Sequence, residues 1–145
     1  LGMFKTKKEK KTNKPMKGHF AKGDVAPQYI FNEYTTRERL RYLEAKNIPL
    51  VAYSCLAKGG YENPERLPSE LVAGSRLEVL KNMAKEKGVT ASALAVAWMV
   101  NLHRCEGFPR VIPLFGSGNV EHFVSNLSGA EIPLTDEELE ILNKA

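Results

Sequence analysis

From residue 27 onward, the chain alternates between short apolar runs and longer stretches with helical spacing. "PQYIFN" (27–32) is a brief aromatic and branched run that predicts a strand. Thr35-Thr36-Arg37-Glu38 then has capping-box spacing and opens a helix to about Asn47, with Leu40 and Leu43 on its buried side. Ile48 to Tyr53 is continuously apolar, which predicts a strand covered on both faces. About twenty residues rich in glycine and proline follow, a length that often carries function.

Ser75 and Glu78 open the next helix, which runs through Leu77, Leu80 and Ala84 and stops at Gly88. Thr90 caps another, whose stripe of Leu94, Ala95, Trp98 and Leu102 marks a core-facing side. "RVIPLF" (110–115) reads as a third buried strand, leading through Gly116-Ser117-Gly118-Asn119 into a helix with Phe123 and Leu127 one turn apart. Thr135 and Glu138 make a last capping box for a short terminal helix. Strand, helix, strand, helices, strand, helix is the rhythm of an α/β fold with a parallel sheet.

Composition changes this picture at one end only. The chain has 145 residues and a net charge of +4, but residues 1–22 carry eight lysines and one glutamate, so the remainder is acidic on balance. The lead, residues 1–26, has no helical or strand period and no interleaved aromatics, so it reads as a mobile, solvated segment rather than a nucleic-acid arm. The opening Leu1-Gly2-Met3 is read as a scar or as part of something longer. Cys55 and Cys105 lack metal-ligand spacing and no metal site is expected. No run approaches the ~20 apolar residues of a membrane span, and reduced thiols in the cytoplasm are the expectation.

In parallel α/β folds ligands gather at the carboxyl ends of strands, which directs attention to Tyr53-Ser54 and to Gly116–Asn119. Tyr53 reads either as a ligand platform or as an ordinary strand-end aromatic. The Gly-Ser-Gly-Asn turn reads equally as a phosphate cradle at a helix start or as a plain connection with Asn119 as N-cap.

"IPLVAYSCLAKGG", "LKNMAKEKGVTASALAVAWMV", "VIPLFGSGNVEHFVSN" and "AEIPLTDEELEIL" together, in this order and spacing, resemble the last segments of the aldo-keto reductase family. The resemblance covers residues 27–145. It implies a partial (β/α)8 TIM barrel, approximately strands six to eight with their outer helices, forming the cofactor-binding half. It further implies NAD(P)H-dependent reduction of aldehydes or ketones, with NADP as the cofactor and NAD possible. By resemblance Tyr53 stacks on the nicotinamide. Ser54, Leu56 and the 57–60 loop, with Gly59, lie along the pyrophosphate. Gly116, Ser117 and Gly118 meet the adenosine phosphate, with His122 and Asn126 on the following helix, and Gln28 or Asn32 holds the carboxamide. Cys55 departs from the family's common proline, and the phosphate turn lacks the family's usual arginine or lysine.

No residue of the chain matches the family's catalytic-tyrosine motif, so the chain alone is expected to be inactive. It is expected to associate with a missing barrel half or a second copy, and to take a small carbonyl substrate. A non-catalytic nucleotide-binding or regulatory module on the same fold is the alternative.

Overall fold

A computed structural model describes residues 36–67, 72 and 75–144. The lysine-rich lead, the strand expected at 27–32 and the candidates Gln28 and Asn32 lie outside the described residues. Five α-helices and two strands are described: α1 (Arg37–Ala45), β1 (Leu50–Tyr53), α2 (Ser75–Lys87), α3 (Ala91–Asn101), β2 (Val111–Leu114), α4 (Val120–Ser128) and α5 (Asp136–Lys144).

Helix α1 begins one residue later than the capping-box spacing implies. Thr36, not Thr35, is the N-cap, and its Oγ1 accepts from the Arg39 amide at 3.2 Å. The helix ends through Asn47 at φ 53°, a residue type that tolerates the left-handed region, and the chain turns directly into β1. β1 and β2 pair in parallel, with Leu50 opposite Val111 and Tyr53 opposite Leu114. The connection between them carries α2 and α3, as a parallel pair requires.

The expectation that both strands are buried on both faces is corrected. Leu50, Ala52 and Val111 face the core, whereas Val51, Tyr53, Ile112 and Leu114 on the other face are 38 to 62% exposed. Strand alternation places one set against the helices and leaves the opposite set open. Helix α3 also differs from its expected stripe. Every residue from Ala91 to Met99 is buried, because α3 packs against α2, α4, α5, β2 and the 3-10 turn Gly129–Glu131. A helix apolar all round belongs at the centre of a layer. Its alanines let neighbours approach closely.

Trp98 is a core residue, and its Nε1 donates to Asn143 Oδ1 of α5 at 2.7 Å, so its one polar atom is satisfied. The predicted capping box of α5 is present in both directions: the Thr135 amide donates to Glu138 at 2.8 Å and the Glu138 amide to Thr135 at 3.1 Å. Lys87 pairs with Glu138 at 2.6 Å, and this pair with the capping bonds holds the Glu138 carboxyl below the usual range. Helix α4 is different again. It has no buried residue, and Val120, Phe123, Val124 and Leu127 are all exposed.

Candidate functional site

Register places the site. Since Tyr53 lies opposite Leu114, both strands end at the same level, and the two loops that follow rise side by side. Between them opens a groove of about 980 Å³, near the upper end of ordinary ligand sites at roughly 300–1,000 Å³. The nine candidates among the described residues all line it: Tyr53, Ser54, Leu56 and Gly59 from the β1 side, and Gly116, Ser117, Gly118, His122 and Asn126 from the β2 side.

The β1 side is bent in an unusual way. Ser54, Ala57 and Lys58 have φ of 57°, 48° and 55°, and Gly59 follows at 81°. Three side-chain-bearing residues in the left-handed region within five positions cost on the order of 1 kcal/mol each, so surrounding contacts must fix them. Several do. The buried Tyr61 hydroxyl donates to the Cys55 carbonyl at 3.1 Å. Arg66 donates to the Lys58 carbonyl at 3.2 Å, and the Glu62 carboxylate accepts from the Ser92 amide, in the first turn of α3, at 2.9 Å. Tyr53, by contrast, stands 62% exposed at the groove's edge.

The β2 side is looser. Asn119 is the N-cap of α4, its Oδ1 accepting from the His122 amide at 3.1 Å. Ser117 Oγ both donates to the Asn119 carbonyl and accepts from the Asn119 amide, at 2.9 and 3.1 Å. The plain-turn function of this segment is therefore visible, and it does not compete with a cradle. A Cβ at Gly116 or Gly118 would meet nothing within 4 Å, so both glycines border open space. Phe115 packs its ring on Phe123, with centroids 5.8 Å apart, tying the turn to α4.

Beyond Lys58 of the 57–60 loop, the groove is also lined by Glu62, Arg66, Thr90 and Ser92, four residues that no motif in the sequence pointed to as site residues. Lys58 and Arg66 bring two cationic side chains to the groove lining. Glu62 and Arg66 left no local signal because they reach the groove through the fold of the loop, in which Glu62 accepts from Ser92 at the start of α3.

Cys55 and Tyr61 are buried behind the groove. Burial pushes the Cys55 thiol from about 9 up to about 11, and burial, with the neighbouring Cys55, also raises the Tyr61 phenol. Each group therefore binds its proton more tightly folded than unfolded. Their contribution is intact below the unfolded thiol value and is lost as pH rises through the folded one. Urea midpoints followed by Trp98 fluorescence should hold steady at neutral pH and fall as pH climbs from 9 toward 11. Cys55→Ala should flatten part of that fall. A midpoint constant to pH 11 would contradict these burial effects.

Among the described residues no cluster of His, Cys, Asp and Glu could hold a metal ion, and no helix is long and apolar enough to cross a membrane.

Parallel strands joined by helices, with a groove at their carboxyl ends, define an α/β protein of the kind that takes its ligand at strand ends. The sequence matches the aldo/keto reductase family over residues 20–145, and the chain belongs to that family. It is 27% identical over 115 residues to norsolorinic acid reductase stcV of Emericella nidulans, an overlap of 71% of this chain and 28% of that protein. Its structure is similar to a thermostable aldo-keto reductase, Tm1743, crystallised with the inhibitor epalrestat. That similarity has a TM-score of 0.54 at 30% identity, over 72% of this chain and 32% of the other. The chain thus spans about a third of the length of the relatives it matches.

Proposed function

We propose that the chain is the cofactor-binding part of an NAD(P)H-dependent aldo-keto reductase, equivalent to about strands six to eight of a (β/α)8 barrel, reducing aldehydes or ketones to alcohols. The observation that carries this reading is the convergence of nine residues from two separate strand ends on one groove. A dinucleotide also fits the donor set: an exposed aromatic face, a turn whose glycines border open space, and two cations on the facing loop. When bound, such a cofactor supplies hydride to a carbonyl carbon.

The chain's own residues bind and orient. Tyr53 offers its ring as a platform, Ser54, Leu56 and Gly59 form the wall along a pyrophosphate, and Gly116 to Gly118 leave room for a phosphate beside His122 and Asn126. Lys58 and Arg66 add the positive charge that the glycine turn itself lacks, which keeps NADP ahead of NAD in this reading. A general acid for the carbonyl oxygen has to lie within hydrogen-bond reach of it. Of the three described tyrosines, Tyr53 lines the groove but serves in this reading as the ring platform, Tyr61 is buried against a backbone carbonyl, and Tyr42 stands on α1, away from the groove lining. The proton is therefore assigned to the part of the barrel this chain does not span.

Calorimetric titration of NADPH and NADH into the full chain tests the proposal. Saturable binding with protection of both strand ends is the expected result, and no binding of either would overturn it. Binding without aldehyde-dependent NADPH oxidation, even after the chain is joined to the amino-terminal half of a family barrel, would favour the non-catalytic module.

A further inference from the structure

The Tyr61 hydroxyl is the most specific contact behind the groove. Its ring is 7% exposed and does not line the cleft, and its oxygen donates to the Cys55 carbonyl at 3.1 Å. No cis peptide is present among the described residues, and a trans peptide carries its C=O and N–H on opposite sides of the chain. Holding the Cys55 carbonyl inward on Tyr61 therefore turns the Leu56 amide the other way. Leu56 lines the groove, and its amide meets no acceptor among the described residues. The amides of Ala57, Gly59 and Gly60, in contrast, are all spent on carbonyls within the loop.

We infer that Tyr61 is a positioning residue whose hydroxyl locks the Cys55–Leu56 peptide so that the Leu56 N–H is presented to the groove as a donor for a bound pyrophosphate. The inference rests on the dinucleotide reading for its ligand, but the peptide lock is a property of the free chain. Ser54 on one side and Ala57 on the other both sit in the left-handed region, so the peptide between them has no regular ladder to define its direction. One buried hydroxyl supplies that definition. An N–H donated to an anionic oxygen is stronger than a neutral bond, and an amide already aimed needs no reorganisation when the anion arrives.

Tyr61→Phe keeps the ring in the core and deletes only the hydroxyl. Amide resonances of the full chain are followed while inorganic pyrophosphate, ADP-ribose and NADPH are added in turn. In the parent the Leu56 resonance should move with pyrophosphate and with ADP-ribose. In Tyr61→Phe that response should be lost and ADP-ribose should bind about tenfold more weakly. Adenosine 2′-monophosphate, which has no pyrophosphate, should bind both proteins equally. Trp98→Phe, which leaves Asn143 Oδ1 on α5 without its donor and lowers stability away from the groove, should leave ADP-ribose affinity unchanged. The inference is overturned if Leu56 in the parent is silent to both pyrophosphate ligands, or if Tyr61→Phe matches the parent. It is also overturned if Trp98→Phe weakens ADP-ribose as much as Tyr61→Phe does. Loss of NADPH binding alone, with Leu56 still responding to pyrophosphate, would instead remove the dinucleotide reading and leave the lock standing.

Discussion

Gly129→Ala is expected to lower the stability of the chain by about 3 kcal/mol, the upper part of the ordinary range for overpacking a core. A Cβ at residue 129 would stand 2.3 Å from the Ala93 carbonyl oxygen and 2.8 Å from Val96 Cβ. Neither neighbour can yield cheaply, because the first is backbone of α3 and the second is a stiff branched side chain in the same buried helix. The 3-10 turn Gly129–Glu131 is what seats the end of α4 on α3, so displacing it also moves the helix that carries His122 and Asn126. Gly116→Ala serves as the contrast. Its Cβ would point into open space, and the change should stay within about 0.5 kcal/mol. Urea unfolding of the two variants beside the parent decides the matter. Equal midpoints for all three would mean that α3 and the 3-10 turn are not packed as described.

The packing around Gly129 was not readable in the sequence, although its neighbours were. A glycine in "NLSGA" reads as a helix stop, and only the three-dimensional approach of α3 shows why no side chain fits. Local signals did better where they act locally. Thr90, Asn119 and Thr135 cap the helices they were expected to cap, because an N-cap needs only its own side chain and an amide two or three residues on. The cap at α1 slipped by one because Thr35 and Thr36 offer the same hydroxyl, and Thr36 takes the extended conformation. Burial was legible as a total but not by face. An apolar run such as Leu50–Tyr53 cannot say whether its second face meets protein, and here Val51 and Tyr53 are open. At the site, glycine turns were visible, while the left-handed Ser54, Ala57 and Lys58 were not, since none is a residue type that advertises positive φ.

The largest functional effect is expected at Gly116. If the groove holds a dinucleotide, Gly116→Val should weaken NADPH by about 2 kcal/mol, because a branched side chain would fill the space through which a phosphate reaches the backbone amides. Tyr53→Ala should cost less, on the order of 1 kcal/mol, the value of one offset aromatic contact. The two losses should differ in character as well as size. In the proposed reading Tyr53 faces the part shared by NADPH and NADH, so its penalty should be the same for both. The turn, in the same reading, faces the part that only NADPH extends with a phosphate, so exchanging NADPH for NADH should shrink the penalty there. Ser117→Ala should show the same cofactor dependence with a smaller amplitude, since the Ser117 hydroxyl is already shared with Asn119 and gains little by turning to a ligand. None of these variants should alter the urea midpoint much, as Tyr53, Gly116 and Ser117 all lie outside the core. Calorimetry with both cofactors against all three variants separates the outcomes. Unchanged affinity in Gly116→Val and Tyr53→Ala together would reduce the two strand ends to ordinary turns, and the cofactor reading of the groove would fail with them.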